Sequence, residues 1–281
     1  MFHLGTARTA YFNWLAAKAS GGKFILRIDD TDANRNDPDA VKVIYDSMAW
    51  LGLDYDVTFN QLDYGYRYEA AADYLVSIGV AYRDGNAVRL KLSDYLPDSW
   101  TDMLAGTVKI NDNDRKLIDG LVLMKSDGMP TYNFATVFDD IDHGVNLIIR
   151  GTDHTANTAK QIAIYRALSH YFTLNVAPAI PAYAHVGLIT MNKKKLSKRD
   201  AAVSLLDYRD KGIHPDAMLN FMLRLGWSPS DPNFDKKHSL ITRDMAVDMF
   251  FKDGSMRNSP AGMDLAKLDW YDRRYKAISP A

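Results

Sequence analysis

Two short stretches of this chain combine residue types and spacing that suit the handling of phosphate groups. The first is the tetrapeptide HLGT at 3–6, at the start of a helical pattern. A helix N-terminus with a glycine lets a phosphate approach backbone N–H groups, and an imidazole adds a donor. The second is the pentapeptide KLSKR at 195–199, whose two lysines can hold a polyphosphate as point charges. Each alone is a weak signal, because a lone histidine is more often structural and a lysine cluster is more often a solvated loop.

Other phosphate, metal and hydrolase motifs are missing from the sequence. It contains no G-x-x-x-x-G-K-[ST] or G-x-G-x-x-G loop, no H-E-x-x-H pair and no G-x-S-x-G turn. Zero cysteines exclude disulfides, thiolate metal sites and a cysteine nucleophile. The net charge of −1 gives no overall basic field, and no apolar run approaches the roughly 20 residues of a membrane span. We therefore expect a cytoplasmic protein without a membrane or DNA partner.

Helix and strand patterns alternate along the first part of the chain. Positions 6–18 have apolar residues at helical spacing, and the glycines at 21 and 22 end that helix. KFILRIDD (23–30) predicts a strand that ends in carboxylates, and Asp37 before Pro38 predicts the start of a second helix. This alternation favours an α/β fold with a largely parallel sheet.

The pattern changes at about Tyr82. AVRLKLSD and GTVKIND predict two short strands, which we interpret as an inserted antiparallel piece between two halves of the core. The stretch at 120–142 predicts a strand, an Asp-Gly-Met-Pro turn, and then a further strand or buried segment. VNLIIRG (145–151) predicts a buried strand, followed by a helix at 155–169, and the chain beyond the lysine cluster is helical to about Leu268.

Long stretches of the chain closely resemble bacterial glutamyl-tRNA synthetase, a class I aminoacyl-tRNA synthetase. They are HLGTARTAYFNWLAAKASGGKFILRIDDTD, DGMPTYNFATVFDD, LIIRGTDHTANTAKQIAIYRAL, the region from YAHVGLI to LRLGWSP, and LAKLDWYDRRYK. HLGT and KLSKR then correspond to the two signature motifs of that class. The resemblance implies a Rossmann-like catalytic domain in two halves, 1–81 and 122–200, a shortened acceptor-binding insertion at 82–121, and a helical stem-contact subdomain at 201–281.

The resemblance also implies the reaction. Glutamate attacks the α-phosphate of ATP, giving glutamyl-adenylate and pyrophosphate, and the adenylate then esterifies the terminal ribose of tRNA. A carboxylate is already a nucleophile, so the protein mainly positions two anions and neutralises charge on the leaving pyrophosphate. Mg²⁺ is implied as the counter-ion of ATP, held largely by phosphates and water, and no zinc is expected.

The resemblance assigns a role to each residue of the predicted site. The catalytic residues are His3, Lys195 and Lys198. The ATP-binding residues are His3, Gly5, Asp153, His154, Leu188, Ile189 and Lys198. The glutamate-binding residues are Asp29, Tyr132 and Arg150, and the residues near the tRNA end are Thr31 and Asp32. Asp29 is one methylene shorter than the glutamate that the family normally has there. Without the resemblance, the alternatives are a core aromatic at Tyr132 and a strand-end salt bridge at Arg150.

The sequence departs from the family pattern in three places. The family has a strand and a Pro-Ser-Pro-Thr-Gly-like loop before the His-x-Gly motif, but only Met1 and Phe2 precede His3, so we expect the first strand to be missing. The insertion is short and lacks the cysteines that some members use for zinc. The family's anticodon-binding domain follows the LDWYDRRYK stretch, where this sequence ends, so we expect that domain to be absent.

Two alternatives to a compact glutamyl-tRNA synthetase stay open. The paralogue glutamyl-queuosine tRNA synthetase also lacks the anticodon domain, although it usually has a zinc site and lacks the helical extension. A remnant that binds tRNA or a protein partner without forming adenylate is favoured by the missing strand and opposed by the intact histidine and lysines. We favour the synthetase, acting as a monomer on glutamate and the acceptor end of tRNA(Glu), and leave open a separate subunit for anticodon recognition.

Overall fold

The computed structural model describes residues 2–31, 37–91, 95–112, 115–116, 120–172, 179–191, 194–195, 204–235 and 239–278. Within these ranges helices alternate with short strands, which confirms the predicted α/β class. Four of the nine strand pairings in these ranges are parallel, fewer than in the largely parallel sheet that the pattern predicted. No helix in the described ranges combines the length and apolarity that a bilayer span requires.

The first helix, α1 (Leu4–Ser20), has the bounds that its sequence signals predict. His3 is its N-cap, and Gly21 ends it with a φ of 65°. Only glycine adopts this left-handed conformation without a Cβ penalty, which is why the helix stops there. Its buried residues include Ala7, Tyr11 and Leu15, and they join the larger of two apolar cores.

The next elements form a β–α–β unit. Strands β1 (Ile25–Ile28) and β2 (Val57–Asn60) pair in parallel, and α2 (Pro38–Leu51) connects them. Asp37 caps α2 by accepting a hydrogen bond from the N–H of Asp39, as predicted. A 3₁₀ turn (Gln61–Tyr64) leads into α3 (Gly65–Ser77).

A four-stranded sheet carries the central part of the candidate site. Its order is β6-β5-β9-β8, with β5 (Ser99–Asp102), β6 (Gly106–Lys109), β8 (Leu147–Gly151) and β9 (Ala182–Val186). β8 and β9 are parallel, and α5 (Thr155–Leu168) lies between them in the chain. β5 pairs in parallel with β9 and antiparallel with β6. A strand from the segment predicted as an insertion therefore joins the sheet of the core.

The two strands predicted for an inserted antiparallel piece lie in different sheets. One is β6, and the other is β4 (Ala87–Leu90), which pairs antiparallel with β3 (Ala81–Asp84) and β7 (Val122–Met124) in the order β3-β4-β7. The pattern located β4 and β6 but gave no signal for β5, whose four residues read SWTD. The domain boundaries themselves stay a prediction.

Of the two alternatives predicted after the Gly128 turn, a strand is wrong and a buried segment is confirmed. The chain there forms α4 (Tyr132–Asp142), and most of its residues from Phe134 onward are buried. Threonine, tyrosine, phenylalanine and valine favour strands intrinsically. Phe134, Val137 and Phe138 nevertheless recur at helical spacing, so burying them in the second apolar core selects the helix.

The later part of the described chain is helical, as predicted. It contains α6 (Leu205–Asp210), α7 (Pro215–Arg224), α8 (Arg243–Met249) and α9 (Leu265–Ile278). Short strands accompany these helices: β12 (Trp227–Pro229) pairs with β13 (Gly254–Met256), and β10 (Ile189–Met191) lies between β11 (Lys194–Lys195) and β14 (Ala261–Gly262). α7 packs against both α1 and α9, so these helices share a core with the helix that follows His3.

Candidate active site

His3 closes the N-terminus of α1 with its own ring. Its Nδ1 accepts hydrogen bonds from the backbone N–H groups of Gly5 (3.1 Å) and Thr6 (3.3 Å). Burial lowers the pKa of His3, so the ring is neutral near pH 7 and its proton lies on Nε2. A Cβ at Gly5 would come within 3.1 Å of the ring, so glycine makes room for the imidazole. The N–H groups predicted to meet a phosphate are therefore taken by His3, and Nε2–H is the donor that remains.

Arg8, one turn along α1, is a buried cation that the sequence analysis did not single out. It is 2% exposed, and its Nη1 donates to the carbonyl of Leu225 at 2.8 Å. Burial lowers its pKa to about 10, while the nearby Asp153 carboxylate raises it. The guanidinium thus stays charged at neutral pH. It ties α1 to the chain that follows α7 and places positive charge on the Asp153 side of the site.

Arg150, near the carboxyl end of β8, is held by three side chains. Its Nε donates to His185 Nε2 (3.0 Å), Nη1 to Gln161 Oε1 (2.7 Å) and Nη2 to Thr158 Oγ1 (2.8 Å). No carboxylate oxygen of a described residue lies within 4.0 Å of an Arg150 nitrogen, the limit for a salt bridge. The predicted strand-end ion pair therefore does not form. Arg150 is only 8% exposed. Burial lowers its pKa, because a charge in this position lacks both water and a counter-ion.

The predicted glutamate-binding side chains lie on one side of this arginine. Tyr132, at the start of α4, is 39% exposed and is therefore not a core aromatic. Burial of its hydroxyl and the Asp29 charge raise the pKa of Tyr132, while Arg150 lowers it. Its ring lies 6.2 Å from that of His154, centroid to centroid. The fold thus gathers Asp29, Tyr132, Arg150 and His154 from four different segments of the chain.

Asp29 is positioned by the arginine two residues before it. Arg27 Nε donates to Asp29 Oδ1 at 2.7 Å, and Arg27 Nη1 donates to Asp140 Oδ1 at 2.7 Å. Asp140 also accepts from the Tyr165 hydroxyl, and burial raises its pKa. The Asp29 side chain remains 38% exposed. For its second oxygen, no hydrogen bond is found within the described ranges.

The residues predicted to line the nucleotide follow β8 and β9. Asp153 and His154 form a 3₁₀ turn directly after Gly151. A Cβ at Gly151 would lie 2.5 Å from Asp153 Oδ1 and 3.4 Å from Leu188, so this glycine lets the two sides of the site approach each other. Ile189 is 5% exposed and packs into the core. Any contact that it makes with adenine is therefore through its backbone.

Three predicted residues lie partly or wholly beyond what the structure describes. Lys198 and Asp32 fall outside the described residues. Lys195 is described as backbone only, in β11, where it pairs with Thr190. β10 contains Thr190 and begins three residues after the end of β9, directly after Leu188. Lys194 and Lys195 pair with this strand. Thr31 is half-buried, and no contact found among the described residues assigns it a role.

A histidine at the start of a helix and a buried arginine near the end of a parallel strand agree with the expected catalytic domain of a class I aminoacyl-tRNA synthetase. The comparisons with known proteins agree. Residues 1–87 and 84–270 match the family model described as tRNA synthetases class I (E and Q), catalytic domain. The chain belongs to this family.

Proteins to which this chain is similar are named glutamate–tRNA ligases. The chain is 37% identical to the glutamate–tRNA ligase of Nitrosomonas europaea over 313 residues, covering 97% of this chain and 64% of that protein. It is 39% identical to glutamate–tRNA ligase 2 of Neorickettsia sennetsu over 267 residues, covering 95% and 61%. A solved glutamate–tRNA ligase from Elizabethkingia meningosepticum superposes with a TM-score of 0.82 at 24% identity, covering 99% and 67%. The chain spans less than two thirds of the length of these two curated relatives.

Proposed function

We propose that this chain uses ATP to activate glutamate and transfers it to the 3′ end of tRNA(Glu). The observation that carries the proposal is the buried Arg150 guanidinium, which has three neutral acceptors and no described carboxylate partner. A substrate carboxylate would supply the missing counter-ion, and a guanidinium can hold it with two parallel hydrogen bonds. Among amino acids this selects a side chain with a second carboxylate.

The surrounding groups suit the rest of a bound glutamate. The Tyr132 hydroxyl keeps its proton, because its pKa is raised, and it can donate to the substrate. The Asp29 carboxylate is held by Arg27 at 2.7 Å and is 38% exposed, so it can accept from the substrate ammonium. With its side chain and amine fixed, the α-carboxylate of glutamate is the part left to react.

In the proposed first step, an α-carboxylate oxygen forms a bond to the α-phosphorus of ATP. The bond from that phosphorus to the bridging oxygen breaks, and pyrophosphate leaves. In the second step, a ribose hydroxyl of tRNA attacks the activated carbonyl, and AMP leaves. We propose that His3 Nε2–H, which lies 3.5 Å from Thr6 Oγ1, donates to phosphate oxygens, and that Lys195 and Lys198 balance charge on the pyrophosphate.

We propose Mg²⁺ as the counter-ion of ATP. The described residues contain no group of three or more histidine, aspartate or glutamate side chains that could hold a metal ion. An ion carried by the phosphates and by water needs no such group. When bound, it supplies positive charge to the phosphates and orients them.

The remaining parts of the proposal concern partners and place. The proposed substrates are found in the cytoplasm, where we place the protein. We propose a monomer that contacts the acceptor end of the tRNA, with any anticodon recognition supplied by a separate subunit. Light scattering of the purified chain, alone and with tRNA, tests the monomer and the complex.

The test of the function is glutamate-dependent exchange of pyrophosphate into ATP, run with and without bulk tRNA. We expect exchange with glutamate and much less with glutamine or aspartate. Exchange without tRNA would favour the glutamyl-queuosine paralogue. A folded chain that is silent in both conditions would overturn the proposed activity.

A further inference from the structure

Three parallel strands place Asp102, His185 and Arg150 in a row. The β8–β9 register sets Arg150 directly opposite His185, and Asp102 ends the neighbouring strand β5. We infer that Asp102 and His185 are positioning residues that fix the Arg150 guanidinium for the side-chain carboxylate of glutamate. This inference rests on the proposed function, since it concerns the same site.

Asp102 is held as an acceptor from several directions. One oxygen accepts from the N–H groups of Leu104 (2.8 Å) and Ala105 (2.9 Å). The other accepts from the backbone N–H of His185 at 3.1 Å and from its ring Nδ1 at 2.6 Å. Although burial raises it, these hydrogen bonds hold the pKa of Asp102 below its usual range. The carboxylate is therefore ionised, with its geometry fixed.

The ionised Asp102 determines which nitrogen of His185 carries the proton. The contact at Nδ1 requires a donor there, so Nδ1 is protonated and Nε2 has a free lone pair. That lone pair accepts from Arg150 Nε at 3.0 Å, and Thr158 Oγ1 lies 3.2 Å from the same nitrogen. The opposite tautomer would point an N–H at the Arg150 N–H and remove one of the three hydrogen bonds that hold the guanidinium. The role of Asp102 is therefore to keep Nε2 unprotonated.

Burial makes this arrangement stiff. The side chains of His185 and Asp102 are 2% and 1% exposed. The rings of Trp100, on β5, and Tyr183, on β9, lie 5.5 Å and 6.1 Å from the His185 ring. Burial and the charges of Arg150 and His154 lower the pKa of His185, opposed by Asp102. The ring therefore stays neutral, as its acceptor role requires.

Two substitutions of His185 separate its two contacts. An asparagine amide reaches the Nδ1 position only, whereas a glutamine carbonyl reaches the Nε2 position and can still accept from Arg150. We expect His185→Asn to raise the KM for glutamate about tenfold or more. The KM of His185→Gln for glutamate should be at least about threefold lower than that of His185→Asn. The KM for ATP should change less than about twofold in both. Equal increases in the two variants would overturn the inference, because a purely structural histidine would not distinguish them.

Asp102→Asn tests the tautomer directly. An asparagine amide that donates to Nδ1 moves the ring proton to Nε2, so we expect the KM for glutamate to rise as it does in His185→Asn. In the background of His185→Gln the same change should have little further effect, because no tautomer remains to be set. Additive effects, or no effect of Asp102→Asn alone, would count against the inference.

Nitrogen-15 NMR of the imidazoles gives a reading that does not depend on activity. Among the seven histidines, the signals lost in His185→Gln identify the ring. We expect a protonated Nδ1 and an unprotonated Nε2 in the unliganded protein, and the reverse in Asp102→Asn. A protonated Nε2 in the wild type refutes the inference even if glutamate is activated. Failure of Arg150→Gln to change the KM for glutamate would instead refute the proposed glutamate site.

Discussion

Replacing Arg150 by glutamine is expected to abolish tight glutamate recognition while preserving the fold. Removing one partner of a buried, hydrogen-bonded charge pair typically costs about 2–5 kcal/mol. That range corresponds to a rise in KM of roughly 30-fold to several thousandfold. The guanidinium is 8% exposed, so solvent screens it weakly, and we expect the upper half of the range. The KM for glutamine, which has no side-chain charge, should change far less.

The fold should tolerate this substitution. The glutamine amide can replace part of the bonding to Gln161 and Thr158, and the change removes a charge whose burial is costly. We expect the melting temperature without glutamate to change little and the stabilisation by added glutamate to disappear. Arg166→Gln is the matched control, because Arg166 is an exposed arginine on α5 whose side chain, among the described residues, donates to the Tyr95 carbonyl at 3.2 Å. Wild-type glutamate binding by the Arg150 variant would refute the argument.

Three further outcomes are expected. Lys198→Ala should slow adenylate formation much more than it weakens ATP binding, as rapid-quench rates and nucleotide titration would measure, and equal losses would contradict a transition-state role. Gly187→Ala should lower the free energy of unfolding by about 1–3 kcal/mol or more in a urea titration, because a Cβ there would lie 1.9 Å from the Ser259 carbonyl oxygen. Gly262→Ala is the control, since a Cβ at Gly262 would have nothing within 4 Å. Similar losses in the two variants would contradict this steric argument. The fold lowers the pKa of His185 from 6.5, so the unfolded chain binds the proton of this residue more readily than the folded chain does. The free energy of unfolding therefore falls as the pH drops through about 6.5. His185→Gln should therefore lose less free energy of unfolding than wild type between about pH 7.5 and about pH 5.5, and an equal loss would show that His185 does not titrate on unfolding.

The elements that sequence predicted correctly are those with local signals. The glycines after α1 and the Asp37–Pro38 pair before α2 mark ends of helices by their own backbone chemistry. The apolar run of β8 is long enough to be recognised as a buried strand. The family motifs likewise placed His3 and Arg150 correctly on these elements, at a helix start and a strand end.

The contacts that sequence could not predict are non-local. Asp102 and His185 are 83 residues apart, and β5, which reads SWTD, contains no apolar run. α4 was not predicted as a helix, because its composition favours a strand. Its packing against α5 stabilises the helix. A single buried aspartate in a polar loop and a histidine in an apolar strand each look ordinary. Their chemistry exists only once the register of three strands is known.

This register also changes how the 82–121 segment relates to the glutamate site. An inserted piece that only contacts the acceptor arm of a tRNA could be shortened without effect on amino-acid recognition. Here its strand β5 is bonded to β9, and its last residue, Asp102, bonds both the backbone and the ring of His185. Because His185 in turn holds Arg150 at 3.0 Å, displacement of β5 is transmitted to the guanidinium through two short contacts. The 82–121 segment is thus bonded, through His185, to the residue that we propose reads glutamate.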